Sequence, residues 1–565
     1  MDIIKAINDQ LQIKEIGKDE MYGFFSLSTE NQFADVALPC FRLAKQLKSS
    51  PQVIAEQLKS TFKETPLVKS VEAVNGYLNF FLSESYLAQQ VLMEILDNPD
   101  FGKSSKGNGK IVCIDYSSIN IAKSFHFGHL LTTVIGSSLI KIFKFLGYKT
   151  IGINHLGDWG TQFGKLIVAY KKWSSKEEVE RDGVSALERI YIKFHVEEEK
   201  DPGLGDEARK WFAKIEKSDK EALAIFEWFK KITLIEAEKT YKRLNVSFDS
   251  YDGESFYNDK MDEILEIAKE KKIVEKSDGA LIVNLDNYNM PPCLLVKADG
   301  ATLYATRDLA AALYRKRTYD FDSCLYVVAY QQNLHFKQVF KVLELMDFDW
   351  HSKLEHVAYG MVSLEDGPMS TRKGNLVKLN DVLDKSYAKA LKIIEEKNPN
   401  LENKESIAEK VSTGAVIFSA LQNSRIKDLV FTYDRVLNFD GETCPYLQYT
   451  VARINSVLEK GADCLTSKRI KPDFSALENT ETKEVIKLLN RFPSVVFDAG
   501  EKREPSIISN YLIDLAQSFN KFYFEHRIIN SDTAVQLSRI LVSKSCGIVL
   551  QKGLGLLGID CPEKM

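Results

Sequence analysis

The chain has 565 residues, several times the size of an ordinary domain, which predicts a multidomain protein with at least one large buried core. Hydrophobic residues make up 44% of the chain and charged residues 27%, a composition typical of soluble globular proteins that excludes an intrinsically disordered chain. The 75 basic and 79 acidic side chains give a net charge of −4, so overall charge does not indicate a nucleic-acid partner, although averaging can hide a local basic face.

The cysteines and the start of the chain narrow the class of protein further. The eight cysteines are scattered, without a CxxC pair or a Cys/His cluster at zinc-ligand spacing, so we expect neither a zinc site nor disulfides. Residues 1–5 (MDIIK) lack the basic start of a signal peptide, and the sequence has no uninterrupted apolar run long enough to span a bilayer. We therefore expect a cytoplasmic protein without a membrane partner.

Short alternating runs and amphipathic helical patterns are mixed in the N-terminal region, as in residues 76–82 (GYLNFFL). They predict a small α+β domain over residues 1–105. The domain ends in residues 103–110 (KSSKGNGK), whose composition is typical of an exposed linker.

The next region begins with a strand, a polar turn and a helix, the order found at the start of nucleotide-binding domains. Residues 111–114 (IVCI) predict the buried strand, and apolar periodicity predicts the helix from Leu130 to Phe145. Further strands are predicted at residues 150–153 and 324–328, separated by helical patterns. The prediction is a parallel sheet in a Rossmann-like α/β domain over residues 106–385.

A charge-rich insertion of helical pattern interrupts that domain at about residues 174–285. From residue 386 to residue 565 the pattern is nearly all helical, with amphipathic stretches at residues 411–421 and 507–524. This C-terminal part is predicted to be a helical connecting segment followed by a helical bundle.

The strongest chemical signal is residues 120–129 (NIAKSFHFGH), between the first buried strand and the following helix. A helix N-terminus offers unpaired N–H groups to phosphates, and Gly128 leaves room for a nucleotide base against the backbone. His126 and His129 can donate hydrogen bonds to phosphate oxygens as negative charge develops. Because HxGH also arises by chance, the alternative is a pair of capping or core histidines.

His-Phe-Gly-His resembles the signature of class I aminoacyl-tRNA synthetases, where it opens a helix after the first strand of a Rossmann-like domain. Residues 117–123 (SSINIAK) and 154–164 (NHLGDWGTQFG) are similar to the arginine-specific branch of that class. The resemblance implies an ATP-dependent ligase that joins arginine to its tRNA, with Mg²⁺ accompanying ATP.

The resemblance also implies residue roles near the first strand. It assigns ATP binding to Phe127 and Gly128, and catalysis to Lys123, His126 and His129. Polar residues near the α-amino and carboxylate groups of arginine would be Asp115, Ser117, Ser118, Asn120 and His129. Each polar residue taken singly could instead be a turn or cap residue.

Residues 299–311 (DGATLYATRDLAA) predict how arginine is chosen. If the chain turns helical after Gly300, Tyr304 and Asp308 lie four residues apart on one face. A carboxylate there can accept the paired N–H groups of a guanidinium, and a phenol can accept or stack, whereas the point-like ammonium of lysine cannot fill both acceptors. The resemblance assigns the guanidinium pocket to these two residues.

Two further residues look like members of the arginine site, Glu254 and Gln332. An isolated Glu after Gly is usually a solvated loop residue, and the neighbouring Gln331 leaves the register of the glutamine open.

The phosphate loop is the weakest match to the family. Gly360, Met361 and Val362 are predicted to contact ATP and are followed by residues 368–375 (PMSTRKGN). Class I enzymes carry a Lys-Met-Ser-Lys-Ser loop here; Met369 and Ser370 remain, whereas Pro368 and Thr371 replace its lysines. Candidate cations for the phosphates are Lys123, Arg372 and Lys373. The alternative for the basic pair is an exposed turn.

Both ends of the chain resemble RNA-contacting domains of the same family. Residues 441–453 and 556–565 resemble its helical anticodon-binding domain, in which Tyr446 and Tyr449 could stack on bases or be core tyrosines. The N-terminal region resembles the appended domain that touches the tRNA elbow. If residues 77–81 are a strand, Tyr77, Asn79 and Phe81 share a face that meets either RNA or the core.

The resemblance covers essentially the whole chain, and we expect a monomer. One rival interpretation is another adenylate-forming nucleotidyl transferase with a small acceptor, which would usually be shorter and lack an anticodon-type domain. A second is a non-catalytic RNA-binding paralogue, which would be expected to lose His126, His129 or Asp308, all of which are present.

Overall fold

The computed structural model describes residues 2–11, 13, 16–27, 34–63, 65–364, 367–368, 377–438 and 441–565. The chain separates into two compact units. One consists of Met1–Phe101, Arg453–Phe492 and Asp514–Leu550, and the other of Gly102–Ala452, Pro493–Ile513 and Gln551–Met565. The helical C-terminal part therefore contributes segments to both units, and the domain boundaries near residues 105 and 385 stay predictions.

The N-terminal region is an antiparallel sheet, in the order β1-β2-β4-β3, with short helices. Its elements are α1 (Ile3–Asn8), α2 (Lys18–Tyr22), β1 (Ser26–Leu27), β2 (Val36–Pro39), α3 (Ala44–Leu47), α4 (Pro51–Thr61), β3 (Val68–Val74), β4 (Tyr77–Leu82) and α5 (Glu84–Asp97). Asn75 and Gly76 join β3 to β4 with φ of 51° and 81°, the positive values that a tight hairpin turn needs.

Strand β4 confirms the strand predicted at residues 77–81 and decides which of its faces is buried. Leu78, Phe80 and Leu82 are in the core, whereas Tyr77 is 42% exposed and Asn79 and Phe81 are half-buried. The predicted face is therefore the more exposed side of the strand.

The region from residue 106 to residue 385 follows the predicted α/β order. Its elements are β5 (Ile111–Asp115), α6 (Leu130–Phe145), β6 (Lys149–Ile153), α7 (Gln162–Trp173), α8 (Lys176–Asp182), α9 (Val184–Glu198), α10 (Gly203–Glu216), α11 (Lys220–Arg243), α12 (Met261–Glu270), β7 (Val274–Ser277), β8 (Ala280–Val283), β9 (Cys293–Val296), α13 (Tyr304–Tyr319), β10 (Ser323–Tyr326), α14 (Asn333–Leu345), β11 (Leu354–His356), β12 (Val362–Leu364) and β13 (Gly367–Pro368).

Its centre is a parallel sheet in the order β11-β10-β5-β6. Strands β5 and β10 are apolar and almost fully buried because helices cover the sheet. The predicted strands and the helix from Leu130 to Phe145 are confirmed.

One part of the predicted helical insertion is not helical. Residues 274–283 form the hairpin β7–β8, which pairs with β9 in a separate antiparallel sheet. Asp278 and Gly279 make its turn with φ of 49° and 81°. Asp-Gly between two β-prone runs is a hairpin signal, which the charge-rich composition of the insertion obscured.

The C-terminal elements are mostly helices. They are α15 (Leu379–Lys397), α16 (Lys404–Leu421), β14 (Leu429–Phe431), α17 (Tyr433–Val436), α18 (Cys444–Lys460), α19 (Ala462–Thr466), α20 (Thr480–Glu501), α21 (Ser506–Glu525) and α22 (Thr533–Leu556). The predicted helices at residues 411–421 and 507–524 lie within α16 and α21. Helix α22 is long and apolar enough to cross a membrane, but 56% of its apolar window is buried within the protein, as in a core helix.

Candidate active site

The carboxyl ends of the parallel strands lie at one edge of the sheet, where ligands bind in open α/β folds. Asp115 ends β5, Asn154 and His155 follow β6, and a turn at Tyr330–Gln332 follows β10. The N–H of Tyr330 donates to the carbonyl of Tyr359, 2.9 Å away, which brings the segment after β11 to the same edge. Segments distant in sequence therefore meet at one place.

The His-Phe-Gly-His segment forms a short 3₁₀ turn that leads directly into α6. The His126 Nδ1 accepts a hydrogen bond of 3.1 Å from the Gly128 N–H, so His126 caps the turn. The His126 and His129 rings lie 3.8 Å apart between centroids. The N–H of Phe127 donates to the carbonyl of Val377 at 2.9 Å, which holds the turn against the start of the segment that leads into α15.

Both histidines are neutral near pH 7. Burial, with the positive charge of Lys123, lowers the pKa of His126 below its usual value. Burial, followed by the neighbouring His126 ring, lowers the pKa of His129 to about 3. Because Nδ1 of His126 accepts a bond, a neutral ring carries its proton on Nε2 and can donate there. The His129 Nδ1 is buried and has no hydrogen-bond partner among the described residues.

The loop between β5 and this turn is held by unusual backbone and side-chain contacts. Ser117, Ser118 and Ala122 have φ of 71°, 50° and 61°, a region that non-glycine residues occupy only when their surroundings hold them there. The Ser117 hydroxyl lies 2.8 Å from that of Tyr241. Asn120 bridges to Gly157, and a Cβ at position 157 would lie 2.4 Å from the Asn120 Oδ1. A side chain at residue 157 would therefore displace Asn120.

The insertion helices anchor the same loop. Both the N–H and the hydroxyl of Ser124 donate to the carboxylate of Glu188 on α9, each at 2.6 Å. The N–H of Ala122 donates to the Thr233 hydroxyl on α11 at 3.0 Å. Glu188 and Thr233 thus position the loop that carries Lys123.

Asp115 is buried and already paired. Its Oδ2 lies 2.8 Å from Nη2 of Arg315, whose side chain is only 1% exposed. Its Oδ1 accepts from the Ser118 hydroxyl at 3.0 Å. The same Arg315 Nη2 donates to Nδ1 of His155 at 3.3 Å. A protein guanidinium therefore already neutralises this carboxylate.

Helix α13 begins at Tyr304 and carries both Tyr304 and Asp308, as the four-residue spacing predicts. Tyr304 is 64% exposed at the helix start. Asp308 Oδ2 lies 2.6 Å from Nε2 of His335 on α14. Burial alone would raise the pKa of Asp308, but His335, together with His155 and Arg315, holds it below its usual value. Asp308 is therefore ionised near neutral pH.

Glu254 begins a 3₁₀ turn and is partly buried near Asp308. Burial raises its pKa to about 7; Arg307 opposes this shift, whereas Asp308 and Asp158 add to it. Gly253 lies so close to its neighbours that a Cβ would lie 2.6 Å from the carbonyl oxygen of Leu156. This fit excludes the free solvated loop as the setting of Glu254.

Gln332 closes the turn after β10 with an exposed side chain. Its backbone N–H donates to the carbonyl of Ala329 at 2.9 Å. Gln332 therefore lies at the edge of the sheet, and its contact with arginine stays a prediction.

The predicted ATP residues of the second segment lie on a short sheet. Gly360 approaches the chain so closely that a Cβ would lie 2.5 Å from the carbonyl of Lys427, and Met361 is 39% exposed. Val362 in β12 pairs with Leu429 in β14, and Phe431 of β14 contacts the ring of Phe127 at 5.0 Å. The strand therefore lies against the histidine turn. Met369, Ser370, Arg372 and Lys373 lie outside the described residues.

The predicted RNA-contacting residues are distant in sequence from these strand ends. Asn79 and Phe81 belong to the more exposed face of β4. Tyr446 is half-buried and Tyr449 is 42% exposed on α18. The exposure of Tyr449 favours the surface alternative over a core tyrosine.

Four residues near the site were not predicted from sequence: His155, Glu188, Arg315 and His335. His155 lies inside residues 154–164, which resemble the family, and His335 lies three residues after the predicted Gln332, so a search for histidines near the predicted pocket would have found both. Glu188 and Arg315 lie in helical patterns that carry no such signal, because their partners Ser124 and Asp115 are distant in sequence.

A parallel sheet with buried carboxylates at its strand ends, and a His-Phe-Gly-His turn with two neutral histidines at its first helix, is the arrangement of a class I aminoacyl-tRNA synthetase catalytic domain. Residues 91–433 match the family model of class I tRNA synthetases (R), catalytic domain. Residues 1–82 match the arginyl-tRNA synthetase N-terminal domain, and residues 447–565 match the DALR anticodon-binding domain.

Two curated relatives carry the same name. The arginine–tRNA ligase of Alkaliphilus metalliredigens is 49% identical over 555 residues, which cover 98% of each chain. That of Clostridioides difficile is 47% identical over 567 residues, with complete coverage of both chains. The chain therefore belongs to the arginyl-tRNA synthetase family, whose members are ATP-dependent ligases.

Solved structures agree with this assignment. The arginyl-tRNA synthetase of Thermus thermophilus superposes with a TM-score of 0.79 at 25% identity, over 96% of each chain. The enzyme of Plasmodium falciparum, at 24% identity and a TM-score of 0.76, shows the fold. The predicted family, fold class and enzyme class are confirmed, whereas the roles of individual site residues stay predictions.

Proposed function

We propose that this chain joins arginine to the 3′-terminal adenosine of its tRNA in two steps at the strand-end site. In the first step a carboxylate oxygen of arginine attacks the α-phosphorus of ATP, the bond to the β-phosphate oxygen breaks, and pyrophosphate leaves. In the second, a hydroxyl of the terminal adenosine attacks the arginyl carbonyl carbon, and AMP leaves. No protein nucleophile is needed, so positioning and charge stabilisation supply the catalysis.

The observation that carries the proposal is the ionised Asp308 on α13, beside a set of further carboxylates at the strand ends. Burial is the main cause of the raised pKa of Glu254; Arg307 opposes the shift, and the charges of Asp308 and Asp158 add to it. A guanidinium would relieve that repulsion and pair with Asp308 through two N–H donors. Lysine would satisfy one acceptor at a time, which supports arginine as the substrate.

The nucleotide side fits a polyphosphate held by neutral donors. The start of α6 offers backbone N–H groups, and neutral His126 offers its Nε2–H, without a fixed positive charge in the ground state. Lys123, which is exposed, and Arg372 and Lys373 are the proposed cations for the leaving pyrophosphate. Gly128, Phe127, Gly360, Met361 and Val362 are proposed to contact the base and sugar, and Met369 and Ser370 the phosphates.

Mg²⁺ is proposed to accompany ATP. The described residues include no group of three or more His, Cys, Asp or Glu side chains that could hold a metal ion. The proposed Mg²⁺ is held mainly by phosphate oxygens and water, the usual arrangement with nucleotides. We further propose a cytoplasmic monomer that contacts tRNA through Asn79, Phe81, Tyr446 and Tyr449.

The test is amino-acid-dependent exchange of pyrophosphate into ATP, run with each amino acid, with and without tRNA, and followed by direct charging of tRNA. Exchange and charging with arginine, and background rates with lysine, are the expected result. Exchange with another amino acid, or transfer to a small acceptor, would show a different nucleotidyl transferase. Absence of both reactions with arginine would show a non-catalytic paralogue.

A further inference from the structure

His335 makes a direct contact with the carboxylate proposed to bind the guanidinium. Its Nε2 lies 2.6 Å from Oδ2 of Asp308, and the two side chains are 24% and 25% exposed. An ionised carboxylate only accepts hydrogen bonds, so Nε2 carries the proton and donates. The contact joins the first turn of α14 to the first turns of α13.

A hydrogen bond from His335 fixes the orientation of the Asp308 carboxylate. Rotation about the terminal bond of an aspartate is soft, so an unbonded Asp308 would sample many orientations. A bidentate guanidinium requires both carboxylate oxygens in one plane. The bond to Oδ2 fixes that plane and leaves Oδ1, and further lone-pair capacity on Oδ2, for two N–H donors.

Among the described residues, Arg315 and Glu254 also act on Asp308 electrostatically, but neither fixes its orientation. Arg315 is bonded to Asp115 at 2.8 Å and to His155 at 3.3 Å. Glu254 repels Asp308 rather than orienting it. The His335 ring contacts the ring of Phe336, with 5.3 Å between their centroids. Phe336 is buried and packs against the ring of His356.

We propose that His335 is a positioning residue that orients Asp308 for bidentate binding of the arginine guanidinium, and thereby sets the affinity of the pocket for arginine. This inference rests on the proposed function, because it assigns Asp308 to the guanidinium. His335 acts through Asp308 and touches neither ATP nor the reacting carboxylate.

The test compares three substitutions in the full chain, with tRNA present: His335→Leu, His335→Asn and His335→Gln. Leu removes the donor, the amide of Asn is too short to reach Asp308, and the amide nitrogen of Gln can occupy the place of Nε2. The KM for arginine is expected to rise about ten- to hundredfold in the Leu and Asn variants, the range of a lost charge-assisted hydrogen bond. In the Gln variant the KM for arginine is expected to be within about threefold of the wild-type value. The KM for ATP is expected to change by less than about twofold in all three variants.

A matched control is His195→Leu, which removes a histidine paired with Glu198 at 3.5 Å on the insertion. It is expected to leave both KM values unchanged. Equal arginine KM in wild type and the Leu variant would overturn the proposal, as would equal losses in the Leu and Gln variants.

A parallel rise of both KM values with a lower melting temperature would show a merely structural role and also overturn it. If wild type fails to charge tRNA with arginine, the proposed function itself has failed, and that outcome is visible before any variant is made.

Discussion

The two halves of the site handle charge in opposite ways. On the nucleotide side, His126 and His129 are neutral because burial lowers their pKa values. On the amino-acid side, Asp115 is paired with Arg315, and Asp308, whose pKa is held below its usual value, is paired with His335. One side offers neutral donors to an anion, and the other offers paired carboxylates to a cation.

In the proposed function, one cleft binds a polyphosphate and a cationic amino acid side by side. On the nucleotide side, the exposed Lys123 is proposed to bring positive charge to the phosphates, next to the neutral His126. Unpaired carboxylates on the other side would repel ATP, so pairing them with residues of the protein lowers the local charge. The predictions that follow test each half of this comparison.

The largest effect is expected from breaking the buried pair of Asp115. Replacing Arg315 with Met leaves a buried carboxylate without its partner, which should lower the free energy of unfolding by about 3–5 kcal/mol. Urea denaturation followed by circular dichroism measures it. The control is Arg317→Met two residues along the same helix, since Arg317 is 57% exposed and pairs with Glu263 at the surface. A change there of more than about 1 kcal/mol would be unexpected.

The next effect concerns the guanidinium partner itself. Asp308→Asn keeps the shape of the side chain and removes its charge, and should weaken arginine binding by about 2–5 kcal/mol. The KM for ATP should stay unchanged because the nucleotide side does not use this carboxylate. Steady-state kinetics of pyrophosphate exchange measure both. Asp320→Asn, at the exposed C-terminal end of the same helix, is the control, and an unchanged arginine KM in Asp308→Asn would refute the pocket.

On the nucleotide side the expected loss is in turnover. His129→Asn should lower kcat by about a hundred- to a thousandfold, the usual cost of one donor that stabilises developing charge. His351→Asn is the control, because His351 lies outside the strand-end site. Its Nδ1 lies 2.9 Å from the Phe348 carbonyl oxygen. An unchanged kcat would contradict the catalytic role of His129, whereas a higher KM for arginine would support its second predicted role, contact with arginine.

The smallest effect is a pH dependence confined to the amino-acid side. Glu254 has a pKa of about 7, so it is mostly protonated at pH 6 and mostly ionised at pH 8. Arginine stays cationic throughout, so its KM should fall about two- to fivefold as pH rises through 7, the scale of a partly exposed charge pair. Glu254→Gln should flatten the profile. The pH dependence of the KM for ATP should be the same in wild type and Glu254→Gln, because Glu254 is not assigned to the nucleotide side.

The sequence predicted what depends on local pattern. Residues 111–114, Leu130 to Phe145 and residues 77–81 alternate or repeat clearly, and the structure forms them as predicted. The Asp278-Gly279 hairpin carried an equally local signal, but the surrounding charge pattern was given more weight.

The pairs that prepare the site could not be predicted in this way. Asp115 and Arg315 are 200 residues apart in sequence, and Asp308 and His335 are 27 apart. Their contact depends on which strands and helices become neighbours, which periodicity does not encode. The close approach of Gly157 to Asn120 is of the same kind, because only the folded chain shows that a side chain has no room there.

The anchoring of the loop before the histidine turn has a consequence for its dynamics. The amide protons of Ala122 and Ser124 are both donated to side chains of insertion helices, Thr233 on α11 and Glu188 on α9. They can exchange with solvent deuterium only when those helices separate from the loop or the insertion unfolds locally. The hydrogen exchange rates of these two amides therefore measure how often the insertion helices separate from the loop before the histidine turn.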